Sequence, residues 1–147
     1  MREVGHHIRE AYLSALTGVT LDSVSIPFSD TYVVDPAEVR GAKVYGLVTV
    51  QEEVETTNNR CGQKQDAFIT IEVVAKFPKG RGGKLVTELI SDQVQQAVNS
   101  GTPLAINGGA KNALTRKELG ISREEHTDTV SIFRKVLTFS NRLTRAN

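Results

Sequence analysis

Between Ala67 and Phe77 every second residue is apolar: Ala67, Ile69, Ile71, Val73, Ala75 and Phe77 alternate with Phe68, Thr70, Glu72, Val74 and Lys76. A period of two belongs to a strand, whose successive side chains point to opposite faces, so this strand has one dry face. Pro78-Lys79-Gly80-Arg81-Gly82-Gly83 then breaks the pattern. From Lys84 the spacing changes, and Leu85, Val86, Leu89, Ile90, Val94, Ala97 and Val98 fall on one stripe of an α-helix. A strand that must bury one face, followed at once by a helix that must bury one stripe, predicts a helix lying across a sheet.

The flanking segments supply the rest of that sheet. Val4, Ile8, Ala11, Tyr12, Ala15 and Leu16 recur at helical spacing and predict a second docking helix that ends near Gly18. Val19 to Phe28 alternates well enough for a strand, with Pro27 marking its end or a sheet edge. Asp35-Pro36-Ala37-Glu38 predicts a single helical turn stopped by Gly41. Lys43 to Val54 predicts a second long strand, with Val44, Val48, Val50 and Val54 on one face. Glu55 to Lys64 has no apolar period, and it joins two strands long enough to pair antiparallel, so it reads as the polar tip of a long hairpin.

Asn99-Ser100-Gly101-Thr102-Pro103 ends the second helix, and residues 103–126 predict an irregular, charged and partly extended arm with at most one helical turn. From Thr127 the period is two again. Phe133, Leu137, Phe139 and Leu143 lie on one side and Val130, Ile132 and Val136 on the other. The apolar set changes side between Ile132 and Phe133, which predicts a bulge or a strand half covered by something else. The expected fold is α+β: a small mixed or antiparallel sheet with a long β-hairpin and two main helices packed on one face. Its 147 residues suit a single domain, with a core at 4–100 and 127–145 and the arm inserted between.

Little in the chain points to catalysis. His6 and His7 are adjacent on a helix, about 100° apart, and cannot share a metal through one face. Neither they nor His126 pair with a recognisable nucleophile, and Cys61 sits in a polar tip without an identifiable base. Glu52-Glu53 and Glu124-Glu125 alternate sides on a strand and do not converge as acid and base. No Cys-x-x-Cys or His-x-x-x-His spacing marks a metal site, so neither metal nor cofactor is expected. Gly83-Lys84 follows a strand and opens a helix, but Pro78 and Leu85 stand where a phosphate-binding loop needs its first glycine and its Ser/Thr. Those glycines read as a sharp turn, with Lys79, Arg81 and Lys84 facing water or a neighbouring subunit.

The single cysteine and the polar start of the chain fit a soluble protein that is not exported, and no apolar run reaches the roughly 20 residues a membrane span needs. A net charge of +1 is too balanced for a general grip on nucleic acid. Its distribution is uneven: residues 1–75 hold six basic and eleven acidic side chains, and residues 76–147 hold twelve and six. Copies meeting head to tail with complementary potentials would use that asymmetry, whereas charges balancing within one subunit would leave it without consequence.

The order helix, strand, long hairpin, helix, final strand resembles the tail terminator and tail completion proteins of long-tailed bacteriophages. The likeness runs through Ile69-Thr70-Ile71-Glu72-Val73 and the Gly/basic turn into the Leu85 to Val98 helix. It covers residues 4–100 and returns in the closing strand at 130–142, and it rests on pattern, with no signature motif. The resemblance implies a homo-oligomeric ring, a hexamer, that caps the tail tube, stops its growth and joins it to the head connector and neck proteins. It implies a place in the virion, at the tail or neck, after assembly in the host cytoplasm. DNA would pass through the ring lumen without sequence-specific contact. The implied ring and tube contacts are Asn58, Asn59, Arg60 and Lys64 at the hairpin tip, Lys79, Arg81 and Lys84 in the turn, and Arg134 and Arg142 on the last strand. The chain departs from the family in the 103–126 arm. The rival expectation is a small ligand-binding domain or enzyme with its site under that arm.

Overall fold

The computed structural model describes residues 5–30, 35–59, 62–99, 103–106 and 111–145. In chain order the elements are α1 (Gly5–Ala15), a 3-10 turn (Leu16–Gly18), β1 (Thr20–Leu21), β2 (Val24–Ser25), β3 (Phe28–Ser29), β4 (Ala37–Val39), β5 (Ala42–Asn59), β6 (Gly62–Pro78), α2 (Leu85–Val98), β7 (Lys111–His126) and β8 (Val130–Arg145). The alternating stretch around Ile71 becomes β6, the centre of a six-stranded sheet of order β3-β5-β6-β8-β7, with β4 also on β5. The pairs β5–β6, β6–β8 and β8–β7 are antiparallel, and β3 runs parallel to β5. The sheet is therefore mixed and the fold α+β, as the pattern predicts.

The dry face of β6 holds the core. Ala67, Ile69, Ile71, Val73, Ala75 and Phe77 cluster with Val44 and Val48 of β5 and with Phe133, Leu137, Phe139 and Leu143 of β8. Onto this face α1 buries Ile8 and Tyr12, the turn after it Leu16, and α2 buries Val86, Ile90, Val94 and Val98. Each such aliphatic side chain contributes about 1.5–3 kcal/mol by leaving water. A polar knot sits inside. The Tyr12 hydroxyl donates to Asn141 Oδ1 at 2.9 Å, Thr115 Oγ1 donates to the same oxygen at 2.9 Å, and Asn112 Nδ2 donates to Thr115 Oγ1 at 2.9 Å. Asn141 Nδ2 reaches the Ala67 carbonyl at 3.3 Å, so the knot ties α1, β6, β7 and β8 together.

The glycine turn after β6 is explained by its own backbone. Gly80 and Gly82 have φ of 74° and 90°, a region that side chains disfavour, and a Cβ on Gly82 would enter the Phe77 ring. These glycines turn the chain tightly over the end of the core.

Four expectations are corrected. Residues 19–28 do not form one strand: Asp22 and Ser23, with φ of 52° and 66°, fold them into the β1–β2 ribbon, and β3 follows separately. Residues 35–41 form no helical turn, because Ala37–Val39 pairs with β5 as β4 and reverses through Arg40 and Gly41 at φ of 53° and 78°. Most of the expected loop at 55–64 is strand, since the β5–β6 ladder continues to Asn59↔Gly62, with register shifts at residues 51 and 56. The arm expected to be irregular contains β7, which pairs with β8 along its whole length. Of the two alternatives for β8 the bulge is excluded, since the strand keeps sixteen consecutive pairings with β6, and the covered strand stands. Phe133 belongs to the core cluster and Ile132, on the opposite face, is buried as well, so both faces of the strand are covered there.

Candidate assembly surface

Both helices lie on one side of the sheet, and among the described residues the other face is built from strand side chains. The register sets them in rows across β5, β6, β8 and β7: Tyr45, Val74, Arg134 and Arg123; then Leu47, Glu72, Val136 and Ile121; then Thr49, Thr70, Thr138 and Leu119. Val74 is fully buried on this face, and beside it the Lys76 ammonium stands 5.5 Å from the centre of the Tyr45 ring. Arg134 Nη1 donates to Glu72 Oε1 at 2.7 Å, and the carboxylate raises the guanidinium above its ordinary pKa. Ser140 Oγ donates to Glu118 Oε1 at 2.6 Å and Arg116 Nε to the same oxygen at 3.0 Å; the Ser140 bond first, and then Arg116, hold Glu118 below the usual carboxylate range. Arg142 bonds Asp66 through both ends of its fork. Between these ionic clasps Leu114 and Leu119 stay half exposed, at 51% each.

Most of β7 is open. Residues 116–120 and 122–126 are all exposed, and the strand leans on the sheet through β8 and through the buried side chains of Asn112 and Thr115. Lys84, at the start of α2, makes a 3.5 Å ion pair with Glu124 at the far end.

The predicted contact residues do not form one site. Asn58 pairs with Gln63, Asn59 with Gly62 and Lys64 with Thr57 and Thr144, all at one end of the sheet. Arg60 lies outside the described residues. Lys79 and Arg81 are exposed in the turn at the opposite end, as is Lys84. The run of β6 between the two groups makes their separation about 45 Å at a strand's rise per residue. Arg134 and Arg142 lie between them on the helix-free face, engaged with Glu72 and Asp66. Sequence reasoning missed β7 as a surface, and the available signal was short: Leu119 and Ile121 alternating with Glu118, Gly120 and Ser122.

Among the described residues no three His, Cys, Asp or Glu side chains converge as metal ligands, and no helix is long and apolar enough to cross a membrane. An open groove of about 440 Å³ runs between α1 and residues 103–106, lined by His7, Glu10, Ser14, Leu104 and Ala105 among others. The 111–126 strand does not roof it.

No family model matches the chain, and no curated protein does. Among solved structures it is similar to a chain of one described as "Virion of native gene transfer agent (GTA) particle", with a TM-score of 0.66 and 16% identity. The match covers 98% of this chain and 99% of that one, so the two share one fold from end to end.

Proposed function

We propose that this chain is a structural virion protein that assembles with its own copies into a ring, caps the tail tube at the neck, and joins it to the head connector. The observation that carries this reading is the end-to-end match to a chain of a gene transfer agent virion. The architecture supports it. A sheet of long strands with one face free of helices, and an exposed strand at its edge, offers broad surfaces to neighbours and a poor enclosure for a small molecule. On this reading the chain works by assembly and performs no reaction, and DNA passes through the ring unread. A hexamer is the subunit number that the tail terminator resemblance implies.

The test is deletion of the coding gene in cells that make the particles, followed by electron microscopy. The reading predicts tails of uncontrolled length separated from heads, restored by supplying the gene in trans. Normal joined particles in the deletion strain would overturn it.

A further inference from the structure

The sheet has two open edges whose shapes and charges correspond. The outer edge of β5 is occupied by β4 at residues 42–44 and by β3 at Gly46 and Leu47. Beyond these, among the described residues, residues 48–59 carry no strand on that side, and β7 carries none on its outer side. The order β5, β6, β8, β7 is antiparallel at every step, so β5 and β7 run in opposite directions. A neighbouring copy related by rotation therefore brings its β5 against β7 as an antiparallel pair, the more stable ladder.

Height and irregularity agree as well. Reading across the register, Val48 stands level with Ile71, Leu137 and Gly120, and Thr57 with Lys64, Thr144 and Lys111. The open residues 48–57 thus lie at the height of residues 111–120. The ladder shifts at residues 51 and 56 in β5 and at 113 and 118 in β7, five residues apart on both edges. Bulged edges resist pairing with flat strands, and here the two edges carry the same spacing. The charge of the two segments is opposite: residues 48–57 contain Glu52, Glu53 and Glu55 and no basic residue, while residues 111–120 contain Lys111, Arg116 and Lys117 against Glu118 alone. Through Phe68 and Ser140, Glu52 is level with Arg116.

We propose that copies of this chain join edge to edge, with residues 48–57 of β5 in one copy pairing antiparallel with residues 111–120 of β7 in the next. The joint is heterologous, and a rotation per copy that divides a full turn closes it into a ring in which the sheets run on without a break. This inference rests on the ring reading above and specifies how the ring is made. It gives the acidic half of the chain and the exposed β7 one common use.

The experiment mixes ¹⁵N-labelled and unlabelled full-length protein, treats the assembly with a zero-length carbodiimide cross-linker, and maps links between labelled and unlabelled copies. Links from Lys111 or Lys117 of one copy to Glu52, Glu53 or Glu55 of another are expected. In parallel, Arg116→Glu with Lys117→Glu should weaken self-association about tenfold or more while the circular dichroism spectrum of the chain stays that of the folded wild type. Adding Glu52→Lys and Glu53→Lys should restore it. An oligomer whose links avoid both edges, and whose affinity ignores all four substitutions, overturns the edge joint and leaves the virion ring standing. A chain that stays single both in solution and in particles overturns both.

Discussion

Asn141 is where the fold and the exposed β7 strand are most tightly coupled, and its replacement by leucine isolates that coupling. The residue is 0% exposed; its Oδ1 accepts from Tyr12 and Thr115 at 2.9 Å and from Asn112 at 3.4 Å. Leucine keeps the volume and removes every one of these bonds. Two buried hydroxyl donors, on Tyr12 and Thr115, then lose their acceptor, at about 1–3 kcal/mol each. The apolar side chain returns about 1–2 kcal/mol, which leaves a net cost of about 2–3 kcal/mol. With a urea slope of about 2 kcal/mol/M for a domain of this size, the unfolding midpoint should fall by about 1–1.5 M. The double-mutant cycle supplies the sharper check. In a Tyr12→Phe background one of the stranded donors no longer exists, so Asn141→Leu should cost about 1–1.5 kcal/mol less there. Amide exchange should rise first in β7, whose buried anchors Asn112 and Thr115 belong to the same knot. A midpoint within experimental error of wild type, or additive single and double mutants, would refute the claim that this knot fastens helix and edge strand to the sheet.

Ile71→Asp should abolish folding outright, seen as loss of the cooperative melt, because it places a charge in the face where Ile71 is 0% exposed. Gly82→Val should lower stability by about 2 kcal/mol or more, combining a left-handed φ of 90° with a clash against Phe77, while Gly83→Ala, which has open space, should stay near wild type in the same thermal melt. Burial pushes the Tyr12 phenol well above its ordinary value. Its contribution is therefore complete below about pH 10 and is lost as pH rises beyond that, so wild type should weaken in alkali more steeply than Tyr12→Phe in parallel melts. Arg40, through its hydrogen bonds at 2.8 and 3.1 Å, holds the Asp22 carboxyl below its ordinary value. That contribution is present above the unfolded value of about 4 and fades as pH falls through the folded one, and Asp22→Asn should remove it from the acid limb of the stability profile.

What could be read from the sequence was what the core demands. The alternation from Ala67 to Phe77, the stripes of both helices and the apolar side of β8 all face one dry layer, and the period of each survives because each position on that side is buried. β7 hid for the converse reason. No helix covers it, so its faces need not sort into apolar and polar, and the shifts at residues 113 and 118 break the period of two. The hairpin end of β5 and β6 is polar for the same reason, and it read as loop although its backbone is paired to Asn59 and Gly62. Positive-φ pairs at Asp22-Ser23 and Arg40-Gly41 went unseen because only one of the four residues is a glycine. The candidate contacts are polar hydrogen-bond donors, a property that marks a surface well and adjacency poorly. An edge is defined by what it pairs with, and that information lies in the register.

The most direct measurement is quantitative mass spectrometry of particles purified by density from cells that encode the chain, set against the particles' other proteins. A structural ring predicts a small fixed copy number per particle, about six on the resemblance drawn above, unchanged by high-salt washing of loosely bound protein. A chain missing from washed particles and recovered entirely in the soluble fraction would contradict a role in building them.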